Sequence, residues 1–338
     1  MLNGNDGCRM SINGELLADK WGKDSWQSAK MQYDFKAGNV YEFVIEHYNR
    51  GGSIGLDLTF EPEMFSNAAD MKELKEADCV VVCLGHNNSS EKENSDRTFE
   101  LPEGQIDYLR EVLKHNKNVV VVLNGGGGIE MASWLPEVKA VLMAWYPGQQ
   151  GGYAVSEIIT GKISPSGKLP ISIESRLEDN PCYGNYYENV PRMRTPEINP
   201  YSRLEYREGI FSGYRGYDKS EVKPLYPFGY GLSYTNFEYS NMSLEYDKAT
   251  TTYTINVTVK NTGDVAGKET VQIYVSSPYT KYDIDNKVEK ASVSLVGFDK
   301  TDILEPGESQ DLTIEVDGDY VASYDAYGVG TYILDAGD

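Results

Sequence analysis

Three runs, CVVVCLG (79–85), VVVVLNG (119–125) and VKAVLMAWYP (138–147), are almost continuously apolar and rich in β-branched residues. A strand with one wet face alternates apolar and polar residues. Unbroken runs of this kind are expected of parallel strands covered on both faces. Between the first two, Ile106, Leu109, Val112 and Leu113 lie on one helical stripe. After the third, GYAVSEIITGK reads as a helix ended by Gly161, with Pro165 shortly beyond. Strand, helix, strand, strand and helix in this order predict a parallel α/β sandwich layer over residues 62–180.

On either side of this layer the pattern is β. Residues 1–61 carry an Asn13-Gly14 hairpin signal and two alternating runs, NVYEFVIEHYN (39–49) and SIGLDLTFE (53–61). Three or four strands fall short of a closed sandwich, so this part reads as a partial β-sandwich. Residues 181–235 form a connector dense in Pro, Gly and Tyr, whose aromatic rings suit either sugar stacking or packing between domains. From 236 to 338, short alternating strands such as TYTINVTVKNTG and QDLTIEVDG recur with turn signals between them. They predict a seven-strand immunoglobulin-like sandwich. The fold class is therefore α/β plus all-β.

A formal charge of −21 argues against nucleic acid or an anionic membrane surface as partner, since both need clustered Lys and Arg. No run reaches the ~18 to 20 apolar residues of a membrane span. The opening MLNGNDGCRMSING has no basic-then-apolar leader pattern and does not read like the start of a domain, which leaves the compartment open. Asn87, Asn88, Asn241 and Asn256 fit the N-x-Ser/Thr pattern, which matters only in a eukaryotic secretory pathway. Cys79 and Cys83 share one face of a strand but lie too far apart to bridge. They, Cys8 and Cys182 are expected to be small buried hydrophobes.

Ligands of open parallel sheets sit beyond the carboxyl ends of the strands. The loop after CVVVCLG lies in that position, and from Glu91 to Glu103 it carries five carboxylates. A carboxyl group there suits proton transfer, although an acidic loop capping the next helix looks the same in sequence. Asp96-Arg97 offers a local ion pair to brace the loop. His86, directly after the strand, is within reach of a sugar hydroxyl or is structural. His47 and His115 read as surface positions, so no metal site is implied. The run Asn124 to Gly128 fails the G-x-G-x-x-G test for a nucleotide and fits close backbone approach at a strand end.

The loop resembles the acid/base segment of glycoside hydrolase family 3, a Glu-Gly-x-Asp-Arg run followed by Leu-Pro and a helix. Here it reads Glu93-Asn94-Ser95-Asp96-Arg97, then Leu101-Pro102, with Asn94 in place of Gly. WYPGQQGG (145–152), SPSGKLPISI (164–173), YREGIFSGYRGYD (206–218), PLYPFGYGLSYTNFEYS (224–240), VKNTGDVAGKETVQIYV (259–275) and LVGFDKTDILEPGES (295–309) are similar to later segments of that family, in order. Residues 1–60 are similar to the second half of the protective-antigen-like module that some of its β-glucosidases insert before this loop.

The resemblance implies a fibronectin type III-like last domain and a cofactor-free retaining exo-glycosidase acting on a β-linked glucoside. Its general acid/base is Glu93, with Glu91 as the alternative, while Asp96 and Arg97 brace the loop and His86 reaches substrate. The family's nucleophile is an Asp on a preceding barrel, commonly followed by Trp. No Asp-Trp dipeptide occurs here. The chain is therefore expected to be the C-terminal part of such an enzyme, dependent on a barrel domain or chain for the nucleophile and inactive alone. A β-xylosidase is the alternative within enzymes, and a non-catalytic carbohydrate-binding or scaffolding protein the alternative outside them.

Overall fold

The computed structural model describes residues 2–334 apart from 5, 23–26, 30, 32, 34, 37, 49, 51–54, 59–67, 94–96 and 186–205. The chain divides into two compact units, Met1–Glu76 and Ala77–Asp338.

In the first unit, short strands make two antiparallel sheets. One has β1 (Leu2–Gly4) between β4 (Gln27–Ala29) and β6 (Leu56–Leu58). The other has β2 (Gly7–Ile12) between β3 (Glu15–Asp19) and β5 (Phe43–Tyr48). Asn13 and Gly14 turn β2 into β3 with φ of 49° and 83°, the left-handed pair that a type I′ hairpin requires. Leu2, Cys8, Met10, Ile12, Ala18 and Ala29 form one buried cluster joining strands of both sheets. Six strands exceed the expected three or four, because three-residue strands such as β1 and β4 are too short for alternation to show. Helix α1 (Ala68–Glu76) ends this unit.

The second unit opens with the parallel sheet. β7 (Val80–Gly85), β8 (Val119–Asn124) and β9 (Ala140–Met143) lie in that order and in parallel register, Val80 beside Val119 and Val120 beside Ala140. α2 (Gln105–His115) buries Leu109, Val112 and Leu113, with Ile106 half-buried. Asp107 in its first turn and Lys114 in its last suit the helix dipole. α3 (Gly151–Ile159) is followed by Gly161 at φ 74°, as its sequence requires. Val119, Val121 and Leu123 of β8 are fully buried, each contributing about 1.5–3 kcal/mol. β7 departs from expectation. Val82 and Leu84 are buried, but Val81 and Cys83 face outward, and Cys79 is exposed too. Only one face of this strand is covered. Of the four cysteines Cys8 alone is buried, and Cys182 is half-buried.

The segment after α3 is zipped to the connector. Leu169 N–H donates to Tyr230 O (2.8 Å), Gly229 N–H to Leu169 O (2.8 Å), and Ile173 and Tyr226 exchange bonds of 2.8 and 3.1 Å. Lys168 Nζ lies 3.0 Å from Glu269 Oε1 and donates to Gly231 O at 3.0 Å, with both side chains mostly buried. The connector also carries α4 (Tyr214–Ser220). Two of its described tyrosines serve packing: Tyr214 Oη accepts from Leu295 N–H (2.9 Å) and Tyr234 Oη donates to Ile158 O (2.9 Å). Tyr186, Tyr187 and Tyr201 lie outside the described residues.

The last part is all β apart from α5 (Lys281–Asn286). β10 (Phe237–Asp247), β11 (Thr252–Asn261) and β14 (Ser309–Asp317) form an antiparallel sheet, β12 (Thr270–Val275) pairs with β13 (Ser294–Lys300), and β15 (Ser323–Asp325) with β16 (Thr331–Ile333). Period-2 alternation sends Tyr253, Ile255, Val257 and Val259 of β11 inward, beside Leu312, Ile314 and Val316 of β14. No helix among the described residues is long and apolar enough to cross a membrane.

Candidate active site

Three loops leave the carboxyl ends of β7, β8 and β9 together, and the acidic loop is the first of them. Its start is fixed at Gly85, whose peptide is gripped from both sides by the Gln105 side chain: Gly85 N–H donates to Oε1 and Nε2 donates to Gly85 O, each at 2.8 Å. Gly85 has φ 147°, and a Cβ there would stand 2.0 Å from Asn124 O, so only glycine fits. His86 follows, 6 % exposed, with Nδ1 at 3.2 Å from Ser90 Oγ and Nε2 enclosed without a partner. Burial and the nearby Arg97 guanidinium hold its ring below the ordinary imidazole range, so it is neutral at pH 7.

Glu91 and Arg97 close the loop at its base. Arg97 Nε donates to Glu91 Oε1 at 2.8 Å, and both side chains are mostly buried. Glu91 Oε2 also accepts from Gly126 N–H at 3.0 Å and from the Tyr146 hydroxyl. The guanidinium further donates to Gly128 O (2.7 Å) and Thr98 O (2.9 Å). Burial pushes the Glu91 carboxyl up, but the Tyr146 hydroxyl, the Gly126 amide and Arg97 outweigh it and hold the carboxyl below the usual carboxylate range. Glu91 is thus a fixed anion.

The glycine run makes room for this pair. A Cβ on Gly126 would lie 3.1 Å from Glu91 Oε1, and one on Gly127 would lie 2.8 Å from Arg97 Nη2. At the end of β8, Asn124 Nδ2 donates to Trp145 O of the third loop at 2.9 Å, holding Trp145 at φ 54° and sending Tyr146 toward Glu91. A bulky residue in the left-handed region is strained, and such strain is kept where the surroundings fix it.

Glu93 stands between the two ends of the clamp, exposed, and makes no hydrogen bond or ion pair with another described residue. Asp96 lies outside the described residues. The structure therefore brings Glu91, Arg97 and His86 to one place, with Glu91 as a partner of Arg97. It also brings in Gly126, from the run expected to allow close approach at a strand end, and Tyr146, which the sequence reading did not single out. Tyr146 ends the third apolar run, so the strand-end rule that pointed to the acidic loop pointed to it as well. Among the described residues no cluster of His, Cys, Asp and Glu is placed to hold a metal ion. Chemically, the arrangement offers one carboxyl group open to a bound molecule and a second whose oxygens are fully engaged.

The sequence profile of the glycosyl hydrolase family 3 C-terminal domain matches residues 37–234. The chain belongs to glycoside hydrolase family 3. A fibronectin type III-like domain profile matches residues 269–338. The β-glucosidase of Kluyveromyces marxianus is 35 % identical over 355 residues, covering 97 % of this chain and 39 % of that protein. Thermostable β-glucosidase B of Acetivibrio thermocellus is 39 % identical over 256 residues, covering 75 % of this chain and 31 % of the other. The crystal structure of the Kluyveromyces marxianus β-glucosidase in complex with glucose superposes on 99 % of this chain and 39 % of its own, with a TM-score of 0.74 at 30 % identity. The family 3 chain described here thus spans about two fifths of the length of its relatives.

Proposed function

We propose that this family 3 chain supplies the general acid/base of a retaining exo-acting β-glucosidase, and that Glu93 is that residue. The observation that carries the reading is the division of labour in one loop: Glu91 and Arg97 are bound to the protein, while Glu93 between them is exposed and has no partner among the described residues. In the first step the Glu93 carboxyl gives its proton to the departing glycosidic oxygen as a carboxylate nucleophile attacks the anomeric carbon. In the second, the Glu93 carboxylate takes a proton from the water that releases the sugar. A barrel domain or chain supplies the nucleophile. Arg97 and Glu91 hold the loop, and His86, neutral beneath it, supports the loop through Ser90. The β-glucosidase names of the relatives support a terminal β-glucoside as substrate.

The test is Glu93→Gln in the enzyme with its barrel present. Turnover of glucosides with poor leaving groups should fall by ~10²- to 10⁴-fold, while activated aryl glucosides lose much less in the glycosylation step. Equal loss of that step on both substrate types would remove Glu93 from the role.

A further inference from the structure

A cavity of about 470 Å³ lies between the glycine run, the segment after α3 and the start of α4. Glu174, Tyr217 and Arg215 line it, with the rings of Tyr214 and Phe228 on its wall. Glu174 is 7 % exposed and Tyr217 4 % exposed. Glu174 accepts from Asn180 Nδ2 but forms no ion pair among the described residues. The Tyr217 hydroxyl faces Glu174; burial and that carboxylate hold it well above the ordinary phenol range, and it has no other hydrogen-bond partner among the described residues. Arg215, half-buried, has no carboxylate partner among the described residues; its guanidinium lies 5.8 Å from the Tyr214 ring centre. A polar occupant that completes the hydrogen bonding of the buried Tyr217 hydroxyl recovers free energy.

We propose that this cavity binds a neutral, monosaccharide-sized polyol, at a site separate from the acid/base loop. The Glu174 carboxylate accepts hydrogen bonds, while Tyr217 and Arg215 donate them, so the occupant must present donors and acceptors close together. Vicinal hydroxyls do both with the same atoms. An anion is opposed by Glu174 and a cation by Arg215, which favours a neutral ligand. Two aromatic side chains suit the C–H face of a pyranose, and the volume falls in the range of small-molecule sites. Gly128 lines the same cavity, and its carbonyl holds Arg97 Nη2 at 2.7 Å, so the site backs onto the anchor of the clamp rather than onto Glu93.

The experiment uses the 338-residue chain alone and does not depend on catalysis. D-glucose, glycerol and myo-inositol are titrated separately, and backbone amide shifts are followed by heteronuclear NMR. The expected result is saturable shifts at Gly128, Glu174 and Tyr217 with glucose or inositol at millimolar concentration. Tyr217→Phe and Glu174→Gln should each weaken binding about fivefold, and Glu93→Gln should leave it unchanged. Amide spectra away from the cavity report whether each variant is folded. If either buried substitution unfolds the chain, Arg215→Ala provides the same readout from a half-exposed position. No saturable shift with any of the three up to about 100 mM overturns the proposal. So does an affinity indifferent to the cavity variants. Binding lost in Glu93→Gln would place the sugar at the acid/base loop and also overturn it. Loss of the catalytic role of Glu93 would leave this result untouched.

Discussion

Removing the Glu91 carboxylate should open the loop that carries Glu93 without unfolding the domain. Glu91→Ala deletes the acceptor for three donors: Arg97 Nε, Gly126 N–H and the Tyr146 hydroxyl. A hydrogen bond to a charged group is worth about 1.5–3 kcal/mol when buried. Tyr146, 56 % exposed, regains water when released, and Arg97 keeps its bonds to Gly128 O and Thr98 O. The net local cost is therefore about 2–3 kcal/mol, well below the sum of three full bonds. Lys92 lies inside the clamped loop, so trypsin must await local opening to cut after it. At low protease, the cut rate tracks the open population. It should rise about 30- to 150-fold in Glu91→Ala, and about fivefold in Glu91→Gln, which keeps one acceptor oxygen but no charge. The products are read by mass spectrometry, with far-UV circular dichroism confirming the fold. Cleavage in Glu91→Ala within twofold of the parent would refute the clamp.

The same carboxylate predicts a pH dependence. Its folded pKa lies below the ordinary glutamate value of about 4.3, so its contribution is fully present above that value and is lost as pH falls through the lower folded one. Hydrogen exchange at Glu91–Glu93 and Gly126, corrected for intrinsic rates, should show protection falling in that window and a flatter profile in Glu91→Gln. The remaining slope belongs to His86, whose depressed pKa also favours opening on acidification; Tyr146, raised further by Glu91, stays neutral throughout. Two glycines separate close approach from free space. Gly85→Ala should destabilise by at least about 3 kcal/mol in urea unfolding, whereas Gly152→Ala, in α3 with nothing within 4 Å of the new methyl, should stabilise by about 0.5–1 kcal/mol.

What sequence made legible was whatever depends on local pattern. β7 and β8 were visible because Val80 to Leu84 and Val119 to Leu123 are apolar runs too short for helices, and α2 because Leu109, Val112 and Leu113 repeat at helical spacing. β11 was visible because its alternation is regular over ten residues. Exposure of Cys83 was not, since an apolar run cannot say which of its faces is covered. Nor could Arg97 be paired with Glu91, six residues away across a loop, when Asp96 stood next to it: no periodicity rule reaches across an irregular segment. Strand-end position singled out the acidic loop, and family likeness singled out Glu93 within it. Tyr146 and Gly126 also sit at strand ends that the sequence marks, but that both reach Glu91 became visible only once the sheet order was known.

The zip between residues 164–173 and the connector has a consequence for how the second unit comes apart. Lys168 reaches Glu269 on the sandwich side, and Asn261, fully buried, accepts from Thr235 and donates to Leu304 O and Val265 O. Melting the sandwich would orphan these groups and free the strand-like segment that leads back to α3. The α/β layer and the sandwich should then share one heat-absorption peak, its enthalpy scaling with residues 77–338 together. A lesion in the last domain would act on the acidic loop through the unfolded fraction, with no change in any contact of Glu93.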